Sequence, residues 1–535
     1  MTGGLLNLVS YGNPNIILNG NPSKTFFKVV YSKYTNFGMQ KFRIDYKGLR
    51  SLRHSEESQF TFKIPRYAEL LMDSYIVVRI PDIWSPIHPA SSSDEQFVGY
   101  DFKWIENLGI HMIKEVEVTI GGQTVQHYSG HYLQSVKNRD FSNTKKELHD
   151  KMTGNIIEFN DPANANGNVN TYPNAYYQGT MNIEPSIRGR NIYIPLDLWF
   201  SRSSKMAFPL VSLQYNELHI VVTMRPIREL FTIRDVMDKE NNYPYIQPSF
   251  NVATQQMHRF LQAPPNTSLT YEDFNANWDA DIHMMCTYCF LSEEEKKVFA
   301  SKNQDYLIKE VHEYEFKNVT GSKKISLDSL GMVSNYMWFF QRSDVNLRNE
   351  WSNYTNWPYK SLPHKLTEAP IQPGKPGLNP DGTFTGLMIT GNLHIENRKE
   401  ILDNFAIVLD GKYRENLFDS GVYNYMEKYI KTEGNADDGI YCYNFCINSS
   451  NDELQPSGGI NMSKFSKIEF EFNTYVPVLD PSANFTVICN EEGTPIGTNK
   501  SPWSIYDYAF DLHVFEERYN ILSFTSGNAG LRFSR

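Results

Sequence analysis

The chain comprises 535 residues with a formal net charge of −10, and 40% of its residues are hydrophobic and 21% charged. This length predicts two to four domains, and the balance of apolar and charged residues excludes a disordered chain. The acidic net charge argues against a general affinity for nucleic acids. Aromatic residues make up 14% of the chain, mostly Tyr and Phe, which favours strands and turns over helices.

Disulfide, export and membrane signals are weak. Five cysteines in a chain of this length do not form a disulfide framework, so we expect free thiols in a reducing compartment. The opening MTGGLLNLVSYG has no basic segment and is interrupted by Asn7 and Ser10, which predicts no signal peptide. No run approaches the roughly 18 apolar residues that a membrane-spanning helix needs.

Positive charge is concentrated near the N-terminus. Residues 1–66 contain ten Lys and Arg against three acidic residues, a net charge of +7 on an otherwise acidic chain. Such a segment suits an acidic protein, an anionic membrane surface or nucleic acid, and it is equally typical of a solvated strand face.

The chain begins with an arm and a group of strands. Residues 1–25, rich in Gly, Asn and Leu, predict an extended arm with one helical turn. FFKVVYSKY at residues 26–34 predicts the first strand. Two more strands are predicted at residues 60–65 and 74–81, joined by a helical turn at residues 66–73.

A hairpin and a strand pair follow. Gly121-Gly122 predicts a two-residue hairpin turn, and HYSGHYLQSVKNRD after it predicts a short helix. Residues 160–190, rich in Asn, Pro and Gly, predict a long exposed loop. The strand pair is expected at residues 192–200 and 218–224, and a linker with few elements at residues 227–280.

The second half repeats these landmarks. HMMCTYCFL predicts a strand, and SEEEKKVFA predicts a helix with Ser292 as its N-cap. Three strands follow in YLIKEVHEYEF, KKISLDSL and NYMWFFQRSD. Asp410-Gly411 then predicts a hairpin turn before a short Tyr-rich helix. The closing pair lies within residues 440–476, where Ile468, Phe470 and Phe472 alternate with polar residues.

Both halves therefore end in a similar strand pair, about 250 residues apart. Roughly eight strands per half predict an all-β fold of two tandem eight-stranded antiparallel jelly rolls, a double jelly roll, with short helices and long loops. The predicted segments are an N-terminal arm at 1–25, a first jelly roll at 26–226, a linker at 227–280, a second jelly roll at 281–517 and a C-terminal tail at 518–535.

Two groups of residues have metal-compatible spacing. Cys286 and Cys289 match half a zinc knuckle, but no second CxxC accompanies them and their apolar surroundings favour buried thiols. His127 and His131 would share one face of a helix, yet no carboxylate between them completes a hydrolase motif. The HxH of metal-binding cupin-type jelly rolls is absent from the sequence. The sequence thus predicts no metal ligands and no cofactor.

Catalytic motifs are also missing from the sequence. It contains no GxSxG, no GxxxxGK[ST] and no GxGxxG. The acidic run at residues 293–295 fits a helix start better than acid/base catalysis. Trp351, Tyr354 and Trp357 suit a sugar-binding platform, although loop aromatics more often pack locally. We therefore predict no catalytic residue and no enzyme.

Several blocks, in order, resemble the major capsid proteins of nucleocytoplasmic large DNA viruses. GGLLNLVSYG and NPSKTFFKVVYSKYTNF resemble the N-terminal signature of that family. FTFKIPRYAELLMDSYIVVRIPDIW, the IGGQ hairpin, YLIKEVHEYEF and NYMWFFQRSD are similar to its next blocks. QPSGGINMSKFSKIEF resembles its most recognisable late block, and RYNILSFTSGNAGLRFS its C-terminal ending. The resemblance runs nearly end to end.

This resemblance implies a structural protein of the virion capsid, assembled in the host-cell cytoplasm. Three copies would form a pseudo-hexagonal capsomer, and capsomers would tile an icosahedral shell. The implied partners are further copies of the chain, minor capsid and penton proteins, and no specific nucleic acid. Residues 160–190 and 345–400 would face outward, and the basic region at 1–66 would face minor capsid proteins or the internal membrane.

Two further expectations concern surfaces. Val221, on the polar side of an alternating strand, is a candidate for burial between subunits, since permanent interfaces commonly bury more than about 2,000 Å². The alternative function is a carbohydrate-binding jelly-roll surface protein that uses Trp351, Tyr354 and Trp357. The missing signal peptide and disulfides argue against this alternative.

Overall fold

The structure is a computed structural model of the chain, and strands dominate it. It describes residues 3–48, 51–88, 98–175, 183–238, 243–265, 271, 273–360, 376–378, 384–388, 398–450, 454–477, 486–490, 493–499 and 506–533. Much of the region 345–400, expected to face outward, therefore lies outside the described residues.

The first jelly roll is a sandwich of two antiparallel sheets. Its eight strands are β1 (Phe37–Ile44), β2 (Ser58–Lys63), β3 (Leu70–Ile80), β4 (Ile113–Ile120), β5 (Gln123–Ser129), β6 (Arg190–Pro195), β7 (Leu218–Met224) and β8 (His283–Leu291). The first sheet has the order β1-β8-β3-β6, and the second has the order β2-β7-β4-β5.

The second jelly roll repeats this arrangement. Its strands are β9 (Gln304–Phe316), β10 (Ser322–Ser326), β11 (Met332–Arg342), β12 (Leu402–Leu409), β13 (Lys412–Tyr413), β14 (Ile440–Asn444), β15 (Ile468–Thr474) and β16 (Phe510–Thr525). The first sheet has the order β9-β16-β11-β14, and the second has the order β10-β15-β12-β13. Each strand of one roll thus has a counterpart in the other, which confirms the predicted double jelly roll.

Short helices connect the strands. They are α1 (Gly3–Val9), α2 (Asn13–Asn19), α3 (Leu108–Met112), α4 (Gly130–Asp140), α5 (Asn143–Thr153), α6 (Ile157–Asn160), α7 (Glu293–Ser301) and α8 (Glu427–Lys431). Helix α7 begins after Ser292 with three acidic residues in its first turn, where negative charge favours the helix dipole. The acidic run at 293–295 is therefore a helix start, as predicted.

Local signals predicted both hairpins. Gly121 and Gly122 have φ angles of 58° and 85°, and Asp410 and Gly411 have φ angles of 47° and 77°. Positive φ at both turn residues matches the twist of the flanking strands, which explains the glycines. Alternation also held along β7, where every second residue from Leu218 to Met224 is buried. Val221, between them, is half-buried.

The expected strand at residues 26–34 was wrong. This segment has no regular structure, and Phe26, Phe27 and Val29 are 84–102% exposed. The first strand is instead β1, which pairs with β8. The strand was predicted only because the run is rich in residues with high strand propensity. In the described part of the chain, no strand pairs with this segment. The arm before it carries two helices, α1 and α2, rather than one turn.

Other expected elements also moved. Residues 70–73, expected in a helical turn, belong to β3. Strand β8, expected in the second roll, fills the gap between β1 and β3 of the first. Residues 518–525, expected in a C-terminal tail, belong to β16 at the centre of a sheet. These strands pair with segments far away in the chain, so local sequence patterns did not indicate their positions.

The predicted linker is part of the first roll's surroundings. Residues Phe231–Arg234 pair with Phe102–Trp104 on one side and with Tyr245–Ile246 on the other, forming a small three-stranded sheet. Phe102 and Phe231 stack with their ring centroids 4.4 Å apart, and both are buried. The segment between β7 and β8 therefore adds its buried side chains to the hydrophobic cluster of the first roll.

Candidate assembly site at the interface between the rolls

The rolls meet on the outer face of the second roll's first sheet. Along β11, Tyr336, Trp338 and Phe340 belong to the core of the second roll, whereas Met337 and Phe339 join the hydrophobic cluster of the first. Because side chains alternate along a strand, one strand contributes to both cores. The same outer face includes Ile440, Cys442 and Phe515.

Helix α4 fills this interface. It follows β5 directly, and its residues from Gly130 to Arg139 are all buried. A side chain at Gly130 would collide with the carbonyl oxygens of Ile110 and Ile113, so glycine lets the helix begin this close to β4. The helix has no exposed face, although more than half of its residues are polar, because the first roll covers one side and the second roll the other.

A buried charge pair crosses the interface. The Arg139 guanidinium donates two hydrogen bonds to the Glu517 carboxylate, at 3.1 and 3.2 Å, and both side chains are fully buried. Asn335 bridges them, since its amide nitrogen donates to Glu517 at 2.7 Å and its oxygen accepts from Arg139 at 2.9 Å. Tyr132 also donates to Glu517 at 2.8 Å. Each oxygen of the Glu517 carboxylate thus accepts hydrogen bonds from two donors.

Asp140 and Lys309 complete the electrostatics of the pair. Asp140 accepts from Arg139 at 2.7 and 2.8 Å, and the Lys309 ammonium lies 4.0 Å from Glu517. Burial acts to raise the pKa of Glu517, but the charges of Arg139 and Lys309 outweigh it and hold that pKa well below its usual range. Glu517 is therefore ionised at neutral pH, and the pair joins the rolls as a charged one.

The structure separates the two histidines that we expected on one helix face. His127 lies on β5 with its side chain 51% exposed, whereas His131 is buried in α4. The His131 Nδ1 atom lies 3.3 Å from the Tyr354 hydroxyl, and its ring packs against Phe339. Burial, with the nearby charges of His111 and Arg225, lowers the pKa of His131. The prediction of a shared face was wrong because the helix begins only at Gly130.

The aromatic residues considered as a sugar platform lie in the same interface. Tyr354 is 3% exposed, which contradicts an exposed platform. The Trp351 indole donates to the carbonyl of Glu229 at 3.0 Å, and the Arg225 guanidinium lies 3.9 Å from its ring centroid. Trp357 is half-buried beneath the Lys399 ammonium. Trp351 and Tyr354 thus join the second roll to the first, which removes the basis for carbohydrate binding.

The two cysteines of the CxxC motif are structural. Both lie on β8, where residues three apart point to opposite faces of the sheet. The Cys286 sulfur lies 3.5 Å from the Ser74 hydroxyl, and burial raises its pKa to about 12. Cys289 packs instead with Leu70 and Ala207 on the other face. They cannot bind one metal ion together.

Two cavities lie beside residues already discussed. One, of about 30 Å³, lies beside Tyr354 and Asp438, and holds little more than a water molecule. The other is an open groove of about 590 Å³ between Ile156 and Arg190, along the predicted exposed loop. Among the described residues, no three His, Cys, Asp or Glu side chains are grouped to hold a metal ion. In the same ranges, no helix is long and apolar enough to cross a membrane.

Sequence reasoning missed Arg139 and Glu517. A signal for Glu517 was present: the run HVFEERYNIL places three charged residues inside an apolar strand pattern, and buried charges need partners. Nothing local indicated that the partner would come from α4, 378 residues earlier in the chain.

Two family models together match nearly the whole chain. Residues 25–291 match the model described as the N-terminus of the major capsid protein, and residues 295–530 match the model of large eukaryotic DNA virus major capsid proteins. The border between the two matches falls directly after β8.

Curated relatives and solved structures agree with these matches. A major capsid protein of Phaeocystis pouchetii virus is 22% identical over 596 residues, covering 100% of both chains. Capsid protein 1 of Acanthamoeba polyphaga mimivirus is 26% identical over 313 residues, which are 58% of this chain but only 44% of that protein. PBCV-1 VP54, fitted into a reconstruction of the virophage Sputnik, has a TM-score of 0.61 at 18% identity, covering 96% of this chain and 100% of VP54.

Proposed function

Since the chain belongs to the major capsid proteins of large eukaryotic DNA viruses, a structural family and not an enzyme family, we propose that three copies form a six-sided capsomer. The observation that supports this most is the repeat of strand order between the two rolls. Two similar units per chain, arranged around a threefold axis, approximate sixfold symmetry, and a head-to-tail contact of this kind closes into a ring. The protein's place is the capsid of the virion.

The trimer is tested by its mass and shape. Native mass spectrometry of the purified protein should give three times the 61.9 kDa of one chain, and negative-stain images should show six-sided particles. A permanent interface commonly buries more than about 2,000 Å², so the trimer should survive dilution. A species of 61.9 kDa alone, under mild conditions, would contradict the proposal.

Capsomers of this kind would tile an icosahedral shell together with minor capsid and penton proteins, after assembly in the host-cell cytoplasm. The groove side of the first roll, with residues 160–190, would face outward. The strand pairing supports a division into an arm up to residue 36, a first roll at 37–291 and a second roll at 304–525. This division refines the expected boundaries.

The arm before β1 is proposed to contact another capsid component. Its side chains at Phe26, Phe27, Val30 and Tyr34 are 85–102% exposed, which is unusual for apolar residues of a stable soluble protein. Basic residues lie between them along the chain. A minor capsid protein or the internal membrane, the two partners left open by the sequence, would cover these side chains.

A further inference from the structure

A stripe of exposed apolar side chains lies on the helical segment of the second roll. Residues 420–431 form a helix that contains a π-helical turn (Val422–Met426) and α8. Tyr425, Met426, Tyr429 and Ile430 are 57, 56, 90 and 68% exposed. Their spacing places all four on one side of the helix. We call this set the apolar stripe.

The opposite side of the same helix is already buried. Tyr423 is 1% exposed and its hydroxyl donates to the carbonyl of Phe405, and the Lys428 ammonium donates to the carbonyl of Ile440. The helix is therefore fixed to its own roll without help from the apolar stripe. The stripe needs a different partner, because contiguous exposed apolar surface of this kind marks an interaction site.

The first roll indicates what that partner is. Helix α4 occupies the same place in the first roll as residues 420–431 do in the second. Each follows the fifth of the eight strands of its roll, α4 directly and residues 420–431 after a short extended segment. Counted from the first helical residues, Gly130 and Ser420, Arg139 and Tyr429 are both in the tenth position. In α4 this position contacts the outer face of the first sheet of the next roll, through Glu517.

The outer face of the first roll's first sheet is the equivalent receiving surface. Its central residues, Val77, His283 and Thr287, are buried, and its exposed side chains lie mainly on the edge strands. On the matching face of the second roll, Met337 and Phe339 have no exposed surface. In the first roll, Tyr193 on β6 is 37% exposed and Met39 on β1 is 58% exposed. Met285 on β8 is half-buried. Alternation places these side chains on the side away from the core.

We propose that the apolar stripe docks on this outer face of the first roll in a second copy of the chain. The contact repeats, between copies, the one that α4 makes within the chain, and it rests on the proposed trimer. Such a contact is head-to-tail: the second roll of each copy meets the first roll of the next. Three such contacts alternate with three contacts within chains around the ring.

Charge around the two surfaces fits this pairing. Exposed Glu433 and Asp438 follow the apolar stripe along the chain, whereas Lys41 and Arg79 are exposed on the receiving strands. Opposite charges at the rim of an interface favour correct orientation of two copies. An unrelated acidic protein would be attracted by the basic receiving face, but the acidic residues beside the apolar stripe would repel it.

The first test is Tyr429→Asp. A charged carboxylate at the centre of the stripe should raise the apparent dissociation constant of the trimer about tenfold or more, because central aromatic anchors dominate interfaces. Tyr429 is 90% exposed, so the monomer should keep its melting temperature. Val169→Asp, at a position 77% exposed on the predicted outer loop, is the matched control and should leave the trimer intact.

The second test places cysteines on the two surfaces, with Cys489→Ser removing the exposed native thiol. One variant carries Ile430→Cys and the other Tyr193→Cys, and the two are mixed, dissociated and reassembled. A short bis-maleimide should join chains of different type in the mixture, and neither variant alone should crosslink. If trimers form without this crosslink and also tolerate Tyr429→Asp, the proposed docking is wrong but the trimer itself stands. A wild-type chain that is only monomeric overturns both.

Discussion

Arg139 and Glu517 lie in different jelly rolls and form a fully buried ion pair, with the guanidinium 3.1 Å from the carboxylate. The two residues come from elements that are equivalent in neither sequence nor local structure, a helix and a central strand. Their contact makes the two rolls one stable unit rather than two domains on a linker. A charge removed from either side therefore affects the whole chain.

The first prediction follows from this pair. Replacing Arg139 with Met leaves the Glu517 carboxylate buried without its main counter-charge, which should lower the free energy of unfolding by about 3–5 kcal/mol. Urea unfolding of the purified chain measures the loss. The double variant Arg139→Met, Glu517→Gln should recover part of it, since the buried Glu517 charge is then gone, while Asp140 and Lys309 still each lose a partner. Equal stability of the single variant and the wild type would contradict the role assigned to the pair.

A second prediction concerns pH. Burial, with the nearby charge of Glu106, raises the pKa of Glu350 from its ordinary 4.5 to about 7, against the opposing effects of Lys360 and Arg348. Between these two values the folded chain holds a proton that the unfolded chain releases. This group's contribution to stability is therefore complete below pH 4.5 and is lost as the pH rises through 7.

Glu350→Gln tests that sign. When the pH rises from 5 to 8, the wild type should lose about 1 kcal/mol or more of stability relative to the variant, since one pKa unit corresponds to about 1.4 kcal/mol. This value is smaller than the full pKa shift implies, because Glu350 is only half-buried and water screens its charge. Thermal unfolding of both proteins at the two pH values is the measurement. Parallel pH profiles for the two proteins would exclude Glu350 as a titrating group.

The third prediction concerns the start of α4. Gly130→Ala adds a methyl group that collides with two backbone carbonyl oxygens, which should destabilise the chain by about 1–3 kcal/mol. Gly38→Ala on β1 is a suitable control, because no atom lies within 4 Å of the added carbon and its φ is ordinary. The control should be neutral or slightly stabilising. Similar melting temperatures of the two variants would mean that the helix start can shift.

The fourth prediction separates the arm from the capsomer. Deleting residues 1–25 removes α1, α2 and Lys24, none of which contacts the core, so trimers of normal melting temperature should still form. Capsid assembly from these trimers should be impaired, as counted by electron microscopy of particles. Assembly equal to that of the full chain would rule out a role for residues 1–25.

Local patterns were sufficient for much of the fold. Alternation identified β7 and β15, and paired residues with positive φ identified both hairpins, because each signal depends on neighbours in the chain. The strand propensity of residues 26–34 failed because a strand also needs a partner. The location of β8 in the first roll was missed for the same reason, since it pairs with β1, which lies more than two hundred residues earlier in the chain.

The assembly site was less accessible to sequence reasoning. Trp351 and Tyr354 suggested exposed aromatics, because their loop is polar and its buried surroundings come from the first roll. The apolar stripe at Tyr425 to Ile430 looked like part of an ordinary Tyr-rich helix. Only the burial of the other side of the helix shows that the stripe is not the side that packs on its own roll. Both features depend on what lies opposite in space.

The position of β16 has a consequence for synthesis of the chain. Along its length it pairs with all thirteen residues of β9 and also with β11, and it is the last long strand to leave the ribosome. The first roll can be completed once β8 has emerged. The second roll lacks the strand between β9 and β11 until residues 510–525 have been synthesised. During that interval the buried face of α4, with Arg139, is uncovered and exposed to misassociation. We therefore expect a chaperone to be needed most while the second roll is still incomplete on the ribosome.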